Sequence, residues 1–373
     1  MTDELDFYAV DPAASARERR DIKALLGRCG LDYEEHIQVF VVCRDAGRLV
    51  ACAGLESNIV KCCAIDPDLR GGSLSLTLLS EVVHLAYERG HSHLFLYTRP
   101  ENVSFFQGCG FYALAEVPGY VTLMENTPVG IRAYCDRLRV QRPPVAIGAD
   151  ARIGGIVINA NPFTLGHQYL VKLAAAQCDW LHLFVVSEDV SFVSYRDRYA
   201  LVEEGVRGIE RLTLHHGSQY MVSRATFPDY FFKEKGVVGD CCTAIDLLLF
   251  RNHIAPALGI THRFVGTEPF CETTRKYNAD MKFWLQGAGS TAPAVTVIEE
   301  ARTRAGGTPI SASEVRRLLR SRDLDRIRAL VPAPTFDLLR EKYLSKILPF
   351  APDPLGHGGE PDALACRAVA AGI

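Results

Sequence analysis

Apolar residues recur along this chain in two rhythms. Over the first 125 positions they fall in short runs dense in Val, Ile and Cys, at 37–43, 49–55 and 58–65, a pattern that predicts neighbouring antiparallel strands. One strongly periodic stretch follows, in which Leu74, Leu78, Val82 and Leu85 put an apolar stripe on a helix over 74–87. Gly90 is placed to end it. A strand over 93–97, a short helix over 101–107 and a closing pair at 111–114 and 120–124 complete a mixed α/β unit.

From Arg152 the rhythm becomes regular. Strand 153–158, helix 166–177, strand 181–186, helix 196–208 and strand 211–215 alternate, which is the signature of a parallel, doubly wound sheet. Further on, the pattern predicts a helix over 243–257, strands over 262–265 and 294–298, and helices over 311–321, 323–330 and 335–344. Between the two rhythms lie Pro128, Pro143 and Pro144, with Pro118 upstream, around one helical stretch at 131–140. The division is therefore expected as a first domain over 1–130, a linker over 131–150, a second domain over 151–349, and a Pro-, Gly- and Ala-rich tail over 350–373 that is expected to be disordered. No internal repeat is present.

Length agrees with two domains, since 373 residues at roughly 150 per domain leave each half enough chain to bury a core. Charge narrows the partners. With 41 basic against 44 acidic side chains the net charge is -3, so a nucleic-acid or anionic-membrane surface is not expected as the main partner, because such partners call for a clustered basic field. No run of about 18 apolar residues occurs and the chain opens Met1-Thr2-Asp3-Glu4, so a cytoplasmic location is expected. The 12 cysteines contain no Cys-x-x-Cys pair, which points to reduced, mostly buried thiols and away from structural zinc.

Chemistry concentrates in the second domain. Its first strand runs into Asn159-Ala160-Asn161-Pro162-Phe163-Thr164-Leu165-Gly166-His167, and a helix begins at once. Ligands of an open parallel sheet bind at the carboxyl ends of its strands, where loop amides and a helix N-terminus offer donors to an anion. Gly166 lets backbone approach a phosphate, and His167 in the first helical turn has a donor to give it. Far downstream, Pro309-Ile310-Ser311-Ala312-Ser313-Glu314-Val315-Arg316 reads as a second helix start, capped by Ser311 or Ser313. Arg316 is placed in its first turn, where a cation opposes the helix dipole unless an anion lies beside it.

The pair Thr164-x-Gly166-His167 and Ile310-Ser311-x-Ser313-x-x-Arg316 resembles the HxGH and ISxTxxR motifs of the nucleotidyltransferase superfamily. Together with the stretches beginning Ser223-Arg224-Ala225-Thr226 and Phe264-Val265-Gly266-Thr267-Glu268, it is similar to the citrate lyase ligase family over nearly the whole chain. The resemblance implies a GNAT-like mixed α/β domain fused to a Rossmann-like parallel-sheet nucleotidyltransferase domain. It implies a ligase that uses ATP with Mg²⁺ to activate acetate as acetyl-adenylate. The acetyl group then passes to the thiol of the CoA-like prosthetic group on the acyl carrier subunit of citrate lyase, and AMP and pyrophosphate leave. By the same resemblance, His167 would stabilise the α-phosphoryl transition state and Arg316 the departing pyrophosphate, with Ser311 and Ser313 holding phosphates. Asn161, Phe163 and Gly166 would line the nucleotide loop, and Gly266, Thr267 and Glu268 would frame the adenine or ribose. Thr164 departs from the family's first histidine: its hydroxyl still offers one donor but no charge.

In the first domain, Arg70-Gly71-Gly72-Ser73-Leu74-Ser75 precedes a helix, and Asn102 with Phe105-Phe106-Gln107-Gly108-Cys109-Gly110-Phe111 resembles a GNAT ending. Ser73 and Ser75 stand at that loop's small positions, and both a CoA pyrophosphate and the carrier's prosthetic group remain open as occupants. Glu56 and Tyr97 lie near strand ends without forming a recognisable acetyl-transfer base, and His91-Ser92-His93 reads as an edge pair rather than a metal site. Two other functions use the same motifs: an adenylyltransferase of cofactor biosynthesis, whose product keeps AMP, and a non-enzymatic nucleotide or acyl-CoA sensor.

Overall fold

The computed structural model describes residues 5–69, 73–142, 150–188, 191–223, 225–226, 237–267, 272–287, 290–305 and 307–346. The chain divides into two compact units, one made of Met1–Ala133 with Pro228–Ile245, the other of Tyr134–Phe227 with Asp246–Ile373.

The first unit is a seven-stranded sheet ordered β1-β2-β3-β4-β5-β7-β6, built from β1 (Asp6–Val10), β2 (Val39–Asp45), β3 (Arg48–Glu56), β4 (Ile59–Ile65), β5 (Phe95–Thr98), β6 (Tyr112–Val117) and β7 (Val121–Glu125). Its apolar runs are continuous because both faces are covered. Phe40, Val42 and Cys52 pack on Ile22, Leu25 and Leu26 of α1 (Ala16–Arg28), while Val39, Val41 and Val50 pack on Leu74, Leu78 and Val82 of α2 (Leu74–Glu88). A short α3 (Val103–Gly108) follows β5. All pairings are antiparallel except β4 with β5, which pair in parallel only at Ile59↔Phe95 and Val60↔Leu96. Beyond those two steps, β4 and β5 are no longer paired. The sequence pattern misses β1 and α1: the helix carries three buried apolar residues among Arg17, Glu18, Arg19, Arg20 and Asp21, too narrow a stripe to stand out.

The helical stretch expected within the linker is α4 (Gly130–Val140), and beyond it Arg142 donates to the carbonyls of Ala257 and Pro256. The second sheet holds β8 (Ile153–Ile158), β9 (Trp180–Val185), β10 (Leu212–His216), β11 (His262–Gly266) and β12 (Thr296–Glu300), all parallel, in the order β10-β9-β8-β11-β12. Strand succession reverses between β8 and β11, so the loops after these two strands leave the same edge side by side. One face packs Ile156, Ile158, Leu183 and Val185 against Val171 and Ala174 of α5 (Leu165–Ala176) and Leu201 and Val202 of α6 (Tyr195–Gly205). The remaining helices are α7 (Val237–Leu249), which widens at Phe250–Ile254 before α8 (Ala255–Leu258), then α9 (Glu272–Gln286), α10 (Ala312–Arg320), α11 (Leu324–Arg328) and α12 (Ala333–Leu338). The sequence reading does not anticipate α9. The expected tail lies outside the described residues. No described helix is long and apolar enough to cross a membrane, and the ten described cysteines are free thiols.

Candidate functional site

The loop that leaves β8 is shaped by its own backbone. Ala160 takes φ 51°, a left-handed conformation that an L-residue adopts at a cost, and Asn161 and Thr164 are buried behind it. Thr164 is the N-cap of α5. Its hydroxyl accepts from the His167 amide at 3.3 Å, and the His167 ring turns back so that its Nδ1 accepts from the Thr164 amide at 3.1 Å, with the Thr164 hydroxyl 2.8 Å away. The Phe163 ring is fully enclosed in the core and stacks 5.7 Å from the His167 ring, so it gives the imidazole a rigid back rather than a face for the nucleotide. Behind Phe163 only a residue without a side chain fits at Gly205.

Two further features mark this loop. The Asn161 side chain is 3% exposed; its Oδ1 accepts from the Val193 amide at 2.9 Å, yet its Nδ2 is buried with no acceptor in reach. A Cβ on Gly166 would stand 3.2 Å from the carbonyl oxygen of Ile310, a close approach that seats the start of α5 against the residue preceding the α10 cap. Ser311 is that cap, accepting from the Glu314 amide at 3.1 Å, so of the two serines it is Ser311 that closes the helix. Arg316 stands one residue beyond the expected first turn. Its guanidinium reaches Asn161 O at 2.5 Å and the exposed Ser313 hydroxyl at 3.1 Å, and burial pulls its pKa down. The two motifs, 155 positions apart, are thus in direct contact. Arg316 has no carboxylate partner among the described residues.

Arg198 of α6 supports the same loop and escaped the sequence reading. It is completely buried and donates to Asn159 O, Asn159 Oδ1 and Val186 O, each at 2.8 Å, to Val193 O at 3.1 Å and to Glu188 O at 2.5 Å. One guanidinium therefore ties the ends of β8 and β9 to the start of α6.

At the end of β11, Gly266 O accepts from Asn278 Nδ2 at 3.1 Å, and Thr267 O accepts from Arg302 Nε at 2.6 Å. The amide of Thr267 is held by Glu300 O, and that of Arg302 by the Thr267 hydroxyl. Glu268 lies outside the described residues. Arg302, also unforeseen, sits just past β12, and its charge, second to burial, lowers the pKa of His167 to about 3. No sequence signal marks Arg198 or Arg302, because a lone Arg in a helix or after a strand is ordinary. The stretch quoted from Ser223 is anchored one residue earlier: the Val222 amide donates to Asp246 Oδ1 at 2.6 Å, and the Tyr277 hydroxyl to Asp246 Oδ2 at 2.9 Å.

In the first unit, Arg70, Gly71 and Gly72 lie outside the described residues, Ser73 begins α2 without a side-chain cap, and Ser75 is buried. His93 is engaged with Glu125 at 2.7 Å. Lys61 lies buried between Glu34 at 3.0 Å and Glu56 at 2.7 Å, so Glu56 belongs to an ion-pair cluster.

Residues 153–339 match the family model described as citrate lyase ligase C-terminal domain, and residues 3–111 that of the acetyltransferase (GNAT) family. A citrate (pro-3S)-lyase ligase of Klebsiella pneumoniae is 50% identical over 323 residues, 87% of this chain and 93% of that protein. Those of Escherichia coli K12 and Haemophilus influenzae are 48% and 44% identical, covering 90% and 86% of this chain and 94% of each relative.

Proposed function

The chain belongs to the citrate lyase ligase family of enzymes, and from that premise we propose that it activates acetate with ATP and delivers the acetyl group to the acyl carrier subunit of citrate lyase. The observation that carries this reading is the contact of Arg316 with Asn161 O beside the orphaned Asn161 Nδ2: a buried donor and a cation without a carboxylate meet where two helices begin. Such a pair of unused donor and unpaired cation fits the triphosphate of ATP. Asn161 and the Gly166 amide would hold phosphate oxygens, and Ser311 and Ser313 would flank them. Mg²⁺ would travel on the phosphates, lowering their charge.

In the reaction, a carboxylate oxygen of acetate attacks the α-phosphorus in line and the bond to pyrophosphate breaks. His167 donates to the α-phosphoryl oxygens as charge builds there, and Arg316 stabilises the departing pyrophosphate. The thiol of the carrier's prosthetic group then attacks the acetyl carbonyl, AMP leaves and a thioester remains. Residues 151–349 would carry adenylation and residues 1–130 would receive the prosthetic group or the carrier, which together makes a cytoplasmic carbon–sulfur ligase. The test measures pyrophosphate from ATP, Mg²⁺ and acetate, with and without deacetylated citrate lyase. Acetate-dependent pyrophosphate and reacetylated lyase are expected; nucleotide binding without acetate-dependent turnover would instead identify a sensor, and a product that retains AMP an adenylyltransferase.

A further inference from the structure

We propose that His167 works as a neutral hydrogen-bond donor through Nε2, that Thr164 is the residue that holds it so, and that Arg302 supplies the positive charge an imidazolium would otherwise bring. The inference deepens the ligase reading and rests on it for the identity of the anion.

The geometry at Nδ1 decides the tautomer. The Thr164 amide points at Nδ1 from 3.1 Å, and a backbone N–H has only a proton to offer. A proton on Nδ1 would face that amide hydrogen head on. With Nδ1 bare, the amide and the freely rotating Thr164 hydroxyl, 2.8 Å away, both donate to it, and the single ring proton must reside on Nε2. The reciprocal bond, from the His167 amide to the Thr164 hydroxyl oxygen, prevents the ring and the cap from separating. Thr164 is 1% exposed, so it is enclosed beneath the imidazole, and its part in the motif is to position His167 rather than to touch phosphate.

The electrostatic surroundings agree. No carboxylate pairs with His167 among the described residues, and the charged group that bears on it is Arg302, arriving from the end of β12; from α10, Arg316 is engaged with Asn161 O. A second cation on the imidazole would be opposed by the first. Arg302 is fixed by its bonds to Thr267, and the adjoining Thr303 carbonyl accepts from the Ile310 amide at 3.0 Å. Ile310 is the residue whose carbonyl lies against Gly166. A short covalent and hydrogen-bonded path therefore joins Arg302 to the loop that carries His167. A phosphoryl group against Nε2–H would meet a directed neutral donor from one side and a fixed cation from another. That division leaves no proton to be lost from the imidazole as pH rises through neutrality.

The full-length protein with ¹⁵N-labelled histidine provides the test, with the His167 signals assigned by their loss in His167→Gln. In the absence of any ligand, one protonated and one bare ring nitrogen are expected from pH 5 to 8, with Nε2 the protonated one. Thr164→Val keeps the amide and so the tautomer, but loses the hydroxyl that fixes the ring to the helix cap, and should lower kcat about tenfold with little change in KM for ATP, which Thr164→Ser should restore; one lost hydrogen bond of this kind is worth roughly that factor. Arg302→Gln should keep the tautomer but weaken binding of inorganic triphosphate about 10- to 100-fold, the range for a bond to a charged group. His167→Gln, which keeps a neutral donor, should retain more turnover than His167→Ala, expected to fall about 10²- to 10³-fold. An imidazole that titrates between pH 6 and 7, a proton found on Nδ1, or unchanged triphosphate binding in Arg302→Gln would each overturn the proposal. These readouts need no acetate, so they fail separately from the ligase reading, which fails if acetate releases no pyrophosphate.

Discussion

Replacing Arg198 with Met keeps an unbranched stem and removes the guanidinium together with its bonds, five of them to described residues. Four backbone carbonyls and the Asn159 amide oxygen lose a charged donor in a place water does not reach. Each bond to a charged donor is worth about 1.5–3 kcal/mol, but removing the guanidinium also relieves the cost of having buried its charge. The net loss is therefore nearer the ~3–5 kcal/mol typical of removing one side of a buried charged network than a simple multiple of five. For a cooperative unit of roughly 200 residues, each kcal/mol moves Tm by about 2–4 °C, so a fall on the order of 10 °C is expected in scanning calorimetry of the full chain. The effect reaches the site through a definite route: Arg198 holds Val193 O, and the Val193 amide holds Asn161 Oδ1. The rise in Tm on adding ATP should accordingly shrink in Arg198→Met, and Arg198→Lys should fall between the two because it keeps the charge but not the fork. A Tm within 2 °C of the parent, with an undiminished response to ATP, would refute the clamp.

Arg316→Ala should weaken ATP binding by about 10- to 100-fold, as for one charged hydrogen-bonding group, while Tm changes by less than about 2 °C, because the lost bonds to Asn161 O and Ser313 are offset by removal of a partly desolvated cation; calorimetric titration and melting together check this, and a lower Tm with normal ATP affinity would mark a structural role. The buried pair His182 and His215, 2.9 Å apart on β9 and β10, is held neutral by burial, which lowers their pKa values to about 3 and about 4. Since an unfolded chain takes up these protons near pH 6.5, stability is full above that value and is lost as pH falls toward 4, by up to about 1.4 kcal/mol per pH unit for each ring. Denaturant midpoints that stay constant from pH 7 to pH 5, or that fall equally in His182→Leu, would contradict this.

Much of this arrangement was legible where one physical signal dominated. Strand 153–158 reads directly because both of its faces are buried and every position is small or apolar. The starts of α5 and α10 read from Thr164 and Ser311, residues whose side chains compete for backbone amides. What was not legible depended on long-range placement. Arg198 and Arg302 are ordinary arginines until the fold brings carbonyls and His167 to them. The helix α9 does not stand out because Tyr277, Met281 and Leu285 are its buried stripe among Glu272, Arg275, Lys276, Asp280 and Lys282. Phe163 belongs to the motif by position, and the burial of its side chain in the core is not marked by the sequence.

A chain with net charge -3 holding a more highly charged anion needs explaining, and the described site shows how the two agree. Charges farther than about 8–10 Å from a ligand are largely screened at physiological salt, so the overall balance has little say at the loop after β8. What acts there is local and of one sign. Asn161 Nδ2 has no acceptor, and Arg316 has no carboxylate partner among the described residues. The nearest acidic side chain on α10, Glu314, is turned to Arg317, at 2.7 and 2.8 Å, and to Arg326, so its charge is compensated away from the loop. Acceptors at this edge are already spent as well: Asn161 O on Arg316, Thr267 O on Arg302, Gly266 O on Asn278. A polyphosphate brings acceptors to the unused Asn161 Nδ2 and to Arg316. Selectivity for the anion thus arises from which hydrogen-bonding capacity the fold has left unused, and an Asn161→Asp substitution, which turns the orphaned donor into an acceptor with negative charge, should abolish ATP binding while Asn161→Ala only weakens it; equal affinities for the two variants in a titration would show that Asn161 does not face the phosphates.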